Sequence, residues 1–247
     1  MASPPKYSAG AGLNPEIRPA TASDSEAVSA IHTYYAATSA TLNSHGQTPE
    51  DIKSSSQVMA SLNLPMLVAT VPISQIHGVE RSEAQTGGAF AATHVRELPL
   101  SNAEDKAGER IVGYAVTVPH QMAMQIEGYA RTAELYVYVA PRYVYRGVGK
   151  ALVSTIVDHL RSLGTPGTNG AVVPRWRNLV AIMVARTGGE LDDGDPLAGV
   201  ELGPVDDERQ LEVWERLGFE EAGRLKCVLE KGGRWRDVRY FQKDLTA

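Results

Sequence analysis

The alternation of apolar and polar positions divides the chain into short strands and amphipathic helices. Ile17-Arg18-Pro19-Ala20-Thr21 predicts a short first strand. Asp24 or Ser25 then caps a helix with Ala27, Val28, Ile31 and Tyr34/Tyr35 at helical spacing. Leu67–Val71 and Ile111–Val116 predict the two strands of a hairpin. Leu135, Val137 and Val139 alternate with Tyr136 and Tyr138, a fourth strand. A helix follows, with Leu152, Ile156, Leu160 and Leu163 on one face. The apolar run Leu179–Ala185 is short enough for a buried strand. Asp206 or Asp207 caps a last helix carrying Leu211, Trp214 and Leu217, ended by Gly218. Strands near 225–230 and 237–243, with Gly232-Gly233 at the turn, close the chain.

Three stretches break this pattern. Residues 1–15 are rich in Pro, Gly, Ala and Ser and read as a flexible tail. Residues 72–110 and the acidic, Gly-rich 187–209 read as insertions. Setting these aside leaves roughly 170 residues, the size of one domain, so residues 16–247 are expected to form a single unit. A further loop, TPGTNGAVVPRW, falls within it. No internal repeat is present.

Composition narrows the function classes. The 247 residues carry 24 basic and 29 acidic side chains, a net charge of −5. That is too little positive field for wrapping nucleic acid. No apolar run approaches the ~18 residues of a membrane helix, and the N-terminus lacks the apolar core of a secretory signal. The lone Cys227 forms neither an internal disulfide nor a zinc cluster. A protein of the cytoplasm, without nucleic-acid or membrane partners, is expected.

Candidate chemistry concentrates in one segment, Ala133-Glu134-Leu-Tyr-Val-Tyr-Val-Ala-Pro-Arg-Tyr-Val-Tyr-Arg-Gly147-Val-Gly149-Lys150. Here a strand runs into a Gly-containing loop that opens a helix. Glycines let the backbone approach an anion, and the first N–H groups of the helix have no internal partner. Arg146 and Lys150 add positive charge. Walker A fails, because Val144 and Ala151 stand where it needs Gly and Ser/Thr. The dinucleotide fingerprint fails at Leu152. The acyl-CoA loop Q/R-x-x-G-x-G/A fits at Gly147 and Gly149 with Val144 in its first position, or at Arg146, Gly149 and Ala151 in a shifted register. A glycine helix cap that binds nothing is the alternative.

The element order and this loop resemble the GNAT superfamily of acyl-CoA-dependent N-acyltransferases. Within it, IRPATASDSEAVSAI, TSATLN…QTPEDI, TAELYVYVAPRY…GVGKAL, WERLGF and GRLK…GGRWRDVRYFQKDL are similar to the phosphinothricin/methionine sulfoximine N-acetyltransferases. The resemblance implies an α/β fold with a mixed, splayed sheet flanked by helices. It implies acetyl-CoA as co-substrate, no metal, and a small-molecule primary amine as acceptor, an amino acid or analogue. A homodimer is compatible with it. By the same resemblance Val137, Tyr138 and Val139 match the strand that pairs with the pantetheine arm. Tyr145, Arg146, Gly147, Val148, Gly149 and Lys150 match the pyrophosphate loop, and Glu134 matches the general base. Three positions depart from the family. Trp214 stands where His or Tyr is frequent, Asp207 where Asn is expected, and 122–127 reads MAMQIE where basic residues are usual. Two rival readings follow from them. One is a non-catalytic acyl-CoA-binding module; the other is an acetyltransferase for polyamines or aryl amines.

The remaining candidates read as structural. The six histidines, His32, His45, His77, His94, His120 and His159, show no metal-ligand spacing, although His120 follows the third strand and could line a cleft. Cys227 has no activating partner in sequence. Asp192-Asp193-Gly-Asp195 lacks the rest of a calcium loop. Trp176 between Arg175 and Arg177 is too small a patch for RNA.

Overall fold

The computed structural model describes residues 12–37, 41–43, 45–77, 108–121, 127–166, 172–185, 207–231 and 234–246. Most of both insertions, the acidic 192–195 patch, residues 122–126 and the Gly232-Gly233 turn lie outside these residues.

Residues 73–77 are helical, and nine strands and four further α-helices lie wholly within the described residues. In order these are β1 (Glu16–Pro19), α1 (Ser25–Ala36), α2 (Pro49–Ser61), β2 (Met66–Pro72), β3 (Glu109–Pro119), β4 (Thr132–Val139), α3 (Val148–Ser162), β5 (Gly164–Pro166), β6 (Val172–Pro174), β7 (Asn178–Ala185), α4 (Asp207–Arg216), β8 (Glu220–Lys231) and β9 (Arg234–Asp244). Seven strands form one sheet in the order β1-β2-β3-β4-β7-β9-β8. Only β4 and β7 run parallel. The stretch expected as a plain loop, 165–176, instead forms the small β5–β6 hairpin.

The helices take their positions from their apolar stripes. On α3, Leu152, Ile156 and Leu160 are fully buried, as their spacing requires. Val28 and Ile31 do the same on α1. The carboxylate of Asp24 does not cap α1. It turns back to accept from the Thr21 N–H at 2.7 Å and from Arg18 at 2.8 and 2.9 Å. Helix α2 was not expected from the apolar pattern, yet its signal is local. Thr48 accepts from the Asp51 N–H, Asp51 returns to the Thr48 N–H at 2.9 Å, and Pro49 opens the first turn. Only Ile52 and Met59 are buried on it, too sparse a stripe to read by periodicity.

The two faces of the sheet are covered by different helices. Side chains of β4 alternate, so Glu134, Tyr136 and Tyr138 share one face. Tyr138 meets His32 and Tyr35 of α1 on that face. Gly113 and Val139 lie on the other face, under α3. A Cβ at Gly113 would stand 2.9 Å from the Tyr138 carbonyl and 3.2 Å from Val148, so that position must be glycine for the helix to sit this close. Leu13, within the stretch read as tail, is instead buried, and its N–H bonds the Arg146 carbonyl at 3.1 Å.

The last hairpin departs from regular pairing. Leu225 pairs with Val238 but Leu229 with Arg236, so 226–228 bulge opposite Asp237. Cys227 takes φ +48° there. Asp237 holds the bulge by accepting from the Cys227 N–H at 2.9 Å and from Arg224 at 2.8 Å. The tip then reaches across to the α1–α2 connection, where Lys231 donates to the carbonyls of Thr41 and Asn43.

Candidate active site

The centre of the sheet opens into a gap. β4 and β7 pair only over 132–135 and 178–181, although β4 continues to Val139 and β7 to Ala185. The hydrogen bonds His120 N–H to Thr132 O and Ala140 N–H to Val112 O show that the even-numbered residues of β4 bond β3. The odd-numbered residues therefore turn their N–H and C=O towards β7. Among the described residues no strand answers them beyond Leu135. Val137 and Val139 thus present backbone donors and acceptors to the gap. Tyr138 does not. Its backbone is paired with Tyr114, and its ring lies among Tyr35, Tyr114 and His32, with its hydroxyl 3.0 Å from Thr41. The Val139 carbonyl already accepts from the Tyr35 hydroxyl at 2.6 Å.

At the open end of the gap stands the start of α3. Gly147, at φ +88°, is its N-cap, and Tyr145 also takes a left-handed conformation at φ +61°. The first intrahelical bond is from Ala151 N–H to Gly147 O, which leaves the N–H groups of Val148, Gly149 and Lys150 without helical partners. A Cβ on Gly147 would meet nothing within 4 Å, so the cradle is open to an approaching anion. Gly149 lies against Val139, which ties the cradle to the strand. Lys150 is exposed and Val148 buried. Arg146 departs from expectation. It is buried, with its Nε directed at the Arg142 carbonyl at 3.4 Å, so its head supports the loop from beneath.

At the closed end lies Glu134, nearly buried on the α1 face. Its Oε2 accepts from the Tyr136 hydroxyl at 2.6 Å. Its Oε1 accepts from His120 Nδ1 at 2.8 Å and from the Gln121 N–H at 3.3 Å. Burial first, then the bond to Glu134, pushes the Tyr136 hydroxyl far above the ordinary range, so it stays protonated and donates. Gln121, at φ +51°, adopts the conformation that aims its N–H at this carboxylate. Tyr129 sets its ring edge-on to His120 at 4.8 Å. The sequence marked Glu134 and named His120 as a cleft residue, but passed over Tyr136. Its two-residue spacing from Glu134 on one strand face was the readable signal.

Trp214 packs half-buried against Phe219 and Phe241, with centroids 5.0 and 5.8 Å away. Phe241 pairs with Ala181 of β7. Trp176 is buried in the core, which removes it from any nucleic-acid surface. Among the described residues no cluster of His, Cys, Asp or Glu is arranged for a metal, and no helix is long and apolar enough to cross a membrane.

A seven-stranded mixed sheet parted between two parallel strands, with a glycine-capped helix at the mouth of the gap, is a fold shared with solved acetyltransferases. Residues 77–188 match the model of the Acetyltransferase (GNAT) family. An L-methionine sulfoximine/L-methionine sulfone acetyltransferase of Pseudomonas paraeruginosa is 27% identical over 156 residues, 63% of this chain and 70% of that protein. A phosphinothricin N-acetyltransferase of Alcaligenes faecalis is 28% identical over 138 residues, 56% of this chain and 53% of the relative. A GNAT superfamily phosphinothricin acetyltransferase from Sinorhizobium meliloti, solved in complex with acetyl-CoA, shares the fold at TM-score 0.59 and 19% identity, covering 93% of this chain and 88% of that one.

Proposed function

We propose that the protein transfers an acetyl group from acetyl-CoA to the primary amine of a small molecule, an amino acid or analogue of the phosphinothricin or methionine sulfoximine kind. One observation carries this reading: an anion cradle and a nearly buried carboxylate stand at opposite ends of one strand, with unpaired backbone between them. From Val139 back to Glu134 is five residues, about 17 Å of extended chain. A pyrophosphate fits the free N–H groups of Val148, Gly149 and Lys150, with the Lys150 ammonium alongside. An amide-bearing arm fits the N–H and C=O of Val137 and the N–H of Val139. A thioester carried down the gap then comes under the level of Glu134.

The chemistry follows from the acceptor. An ammonium has no lone pair, so the site must take a proton before the nitrogen attacks. The Glu134 carboxylate and the imidazole bonded to it form the basic assembly. A backbone N–H in the gap stabilises the oxyanion as the C–N bond forms. The thiolate departs without a strong acid, since an alkyl thiol ionises near pH 8.5. Trp214 is then a packing residue.

The relatives' substrates support an amino-acid analogue. A second reading, an amine without a carboxylate, is favoured by the immediate setting of Glu134. The described side chains around it are His120, Tyr129 and Tyr136, and MAMQIE brings no cation. Free-CoA release from acetyl-CoA over a panel of amino acids, sulfoximines, polyamines and aryl amines tests both. Acceleration by phosphinothricin or methionine sulfoximine supports the first reading. Acceleration by carboxylate-free amines alone supports the second. Binding of acetyl-CoA without turnover on any amine indicates a binding module instead.

A further inference from the structure

We propose that His120, rather than Glu134 itself, is the group that takes the proton from the acceptor's ammonium, with Glu134 and Tyr136 as positioning residues behind it. The inference rests on the acetyltransferase reading above and names the catalytic atom within it.

The argument is one of lone pairs and tautomers. A carboxylate offers about four acceptor sites. Three at Glu134 are taken, by Tyr136 Oη at 2.6 Å, His120 Nδ1 at 2.8 Å and the Gln121 N–H at 3.3 Å. Because Tyr136 stays protonated and the Gln121 amide cannot accept, the carboxylate faces donors on both oxygens. Nδ1 of His120 must therefore carry a proton. In the neutral ring this leaves the lone pair on Nε2, which has no hydrogen-bond partner among the described residues. A carboxylate that fixes one ring nitrogen as donor makes the other the base.

The backbone holds this arrangement as well. The His120 N–H bonds Thr132 O at 2.9 Å, which continues the β3–β4 ladder beyond Pro119. The left-handed Gln121 then turns the chain so that its own N–H meets the same carboxylate oxygen. A non-glycine residue at positive φ costs energy, and here the strained residue supplies a bond to the site. The His120 side chain is 17% exposed, so the ring is held but not sealed. The titratable groups facing it among the described residues are Glu134, with Tyr136 behind it, on β4, and Tyr129 on the 127–129 turn.

The step balances as follows. The ammonium gives one proton to His120 Nε2, forming an imidazolium whose charge Glu134 offsets. The amine lone pair forms the C–N bond, and the thioester C–S bond breaks. The second nitrogen proton goes to the departing thiolate, giving the free thiol. The imidazolium returns its proton to solvent.

The test compares His120→Asn, His120→Gln, Glu134→Gln, Tyr136→Phe and the double variant His120→Asn/Glu134→Gln. Acetyl-CoA affinity serves as the check on folding. His120→Asn keeps a donor to Glu134 but has no base. It is expected to lose about 10²–10⁴-fold in kcat/KM, the loss shrinking as pH rises and the acceptor deprotonates in solution. The double variant is expected to be no worse than His120→Asn, because the two residues act as a unit. Tyr136→Phe is expected to lose less and to shift the pH profile. If His120→Asn and His120→Gln bind acetyl-CoA and keep kcat/KM within threefold of wild type, while Glu134→Gln loses it, Glu134 is the base and the proposal fails alone. If the wild type turns over no amine, the acetyltransferase reading fails with it.

Discussion

The two arms of the sheet are built differently, and the gap lies where they part. The arm β1–β4 is packed on both faces at its centre. Every residue of β2 from Met66 to Val71 is buried, and α1 and α3 close its two sides. The arm β7–β9–β8 ends in a strand that is exposed over nearly all its length, with Leu225 and Val228 about half open to solvent and Trp235 at the start of β9 more so. Besides the apolar packing of Trp214, Phe219 and Phe241, that arm is held by polar ties: Arg224 to Asp237, Arg239 to Glu221, and Lys231 to the α1–α2 connection. The candidate cradle and Glu134 both belong to the first arm. The second arm supplies the far wall and a bridge across it, and the two arms share only four residue pairs.

The largest expected effect on this contrast comes from the helix that seals the first arm. Leu152→Ala, at a fully buried site, is expected to cost ~2–5 kcal/mol in chemical denaturation. Trp214→Ala, on the second arm, is expected to cost less, about 2–3 kcal/mol, because the ring is only half-buried against Phe219 and Phe241. Trp214→Phe should retain acetyl transfer. An inactive but folded Trp214→Phe would assign the indole a direct role.

Asp237 makes the second arm sensitive to acid. The Cys227 N–H, then Arg224, hold its carboxyl below the usual carboxylate range. The stability it contributes is present above the unfolded value near 4 and is lost as pH falls through the lower folded value. Asp237→Asn should therefore destabilise at neutral pH by about 1 kcal/mol and flatten the acid limb of the stability curve. Arg18–Asp24 on the first arm should give the same acid dependence, since Asp24 is also held low. The smallest effect is expected at Val228→Ala, within about 0.5 kcal/mol by thermal denaturation. A larger loss there would mean that β8 is covered in solution. Native-state hydrogen exchange sharpens all of these, with slower exchange expected in β2 and β3 than in β8.

The same contrast explains what was legible in the sequence. Strands and helices of the first arm follow from periodicity, because burial on a regular element imposes it. Val68, Tyr114, Leu135 and Ile156 are where the pattern puts them. The two final strands were visible, but the Leu225–Leu229 bulge was not, since it depends on one aspartate and one left-handed cysteine rather than on a repeat. Helix α2 lacked a dense stripe and announced itself only through Thr48, Pro49 and Asp51. At the site, Glu134 and the glycines were marked by position next to a strand and a helix. Tyr35 and Lys231 were not, because their partners lie 104 and 190 residues away.

The Tyr35 hydroxyl on the Val139 carbonyl has an optical consequence. That carbonyl has two lone pairs, one already given to a phenol at 2.6 Å. An arm entering the gap must use the other or displace the phenol. Either event changes the hydrogen bonding of a tyrosine whose ring lies 5.3 Å from Tyr34 and 5.4 Å from Tyr138. Occupancy of the gap should then be readable as a near-ultraviolet tyrosine difference spectrum with no added label, and Tyr35→Phe should abolish most of that signal.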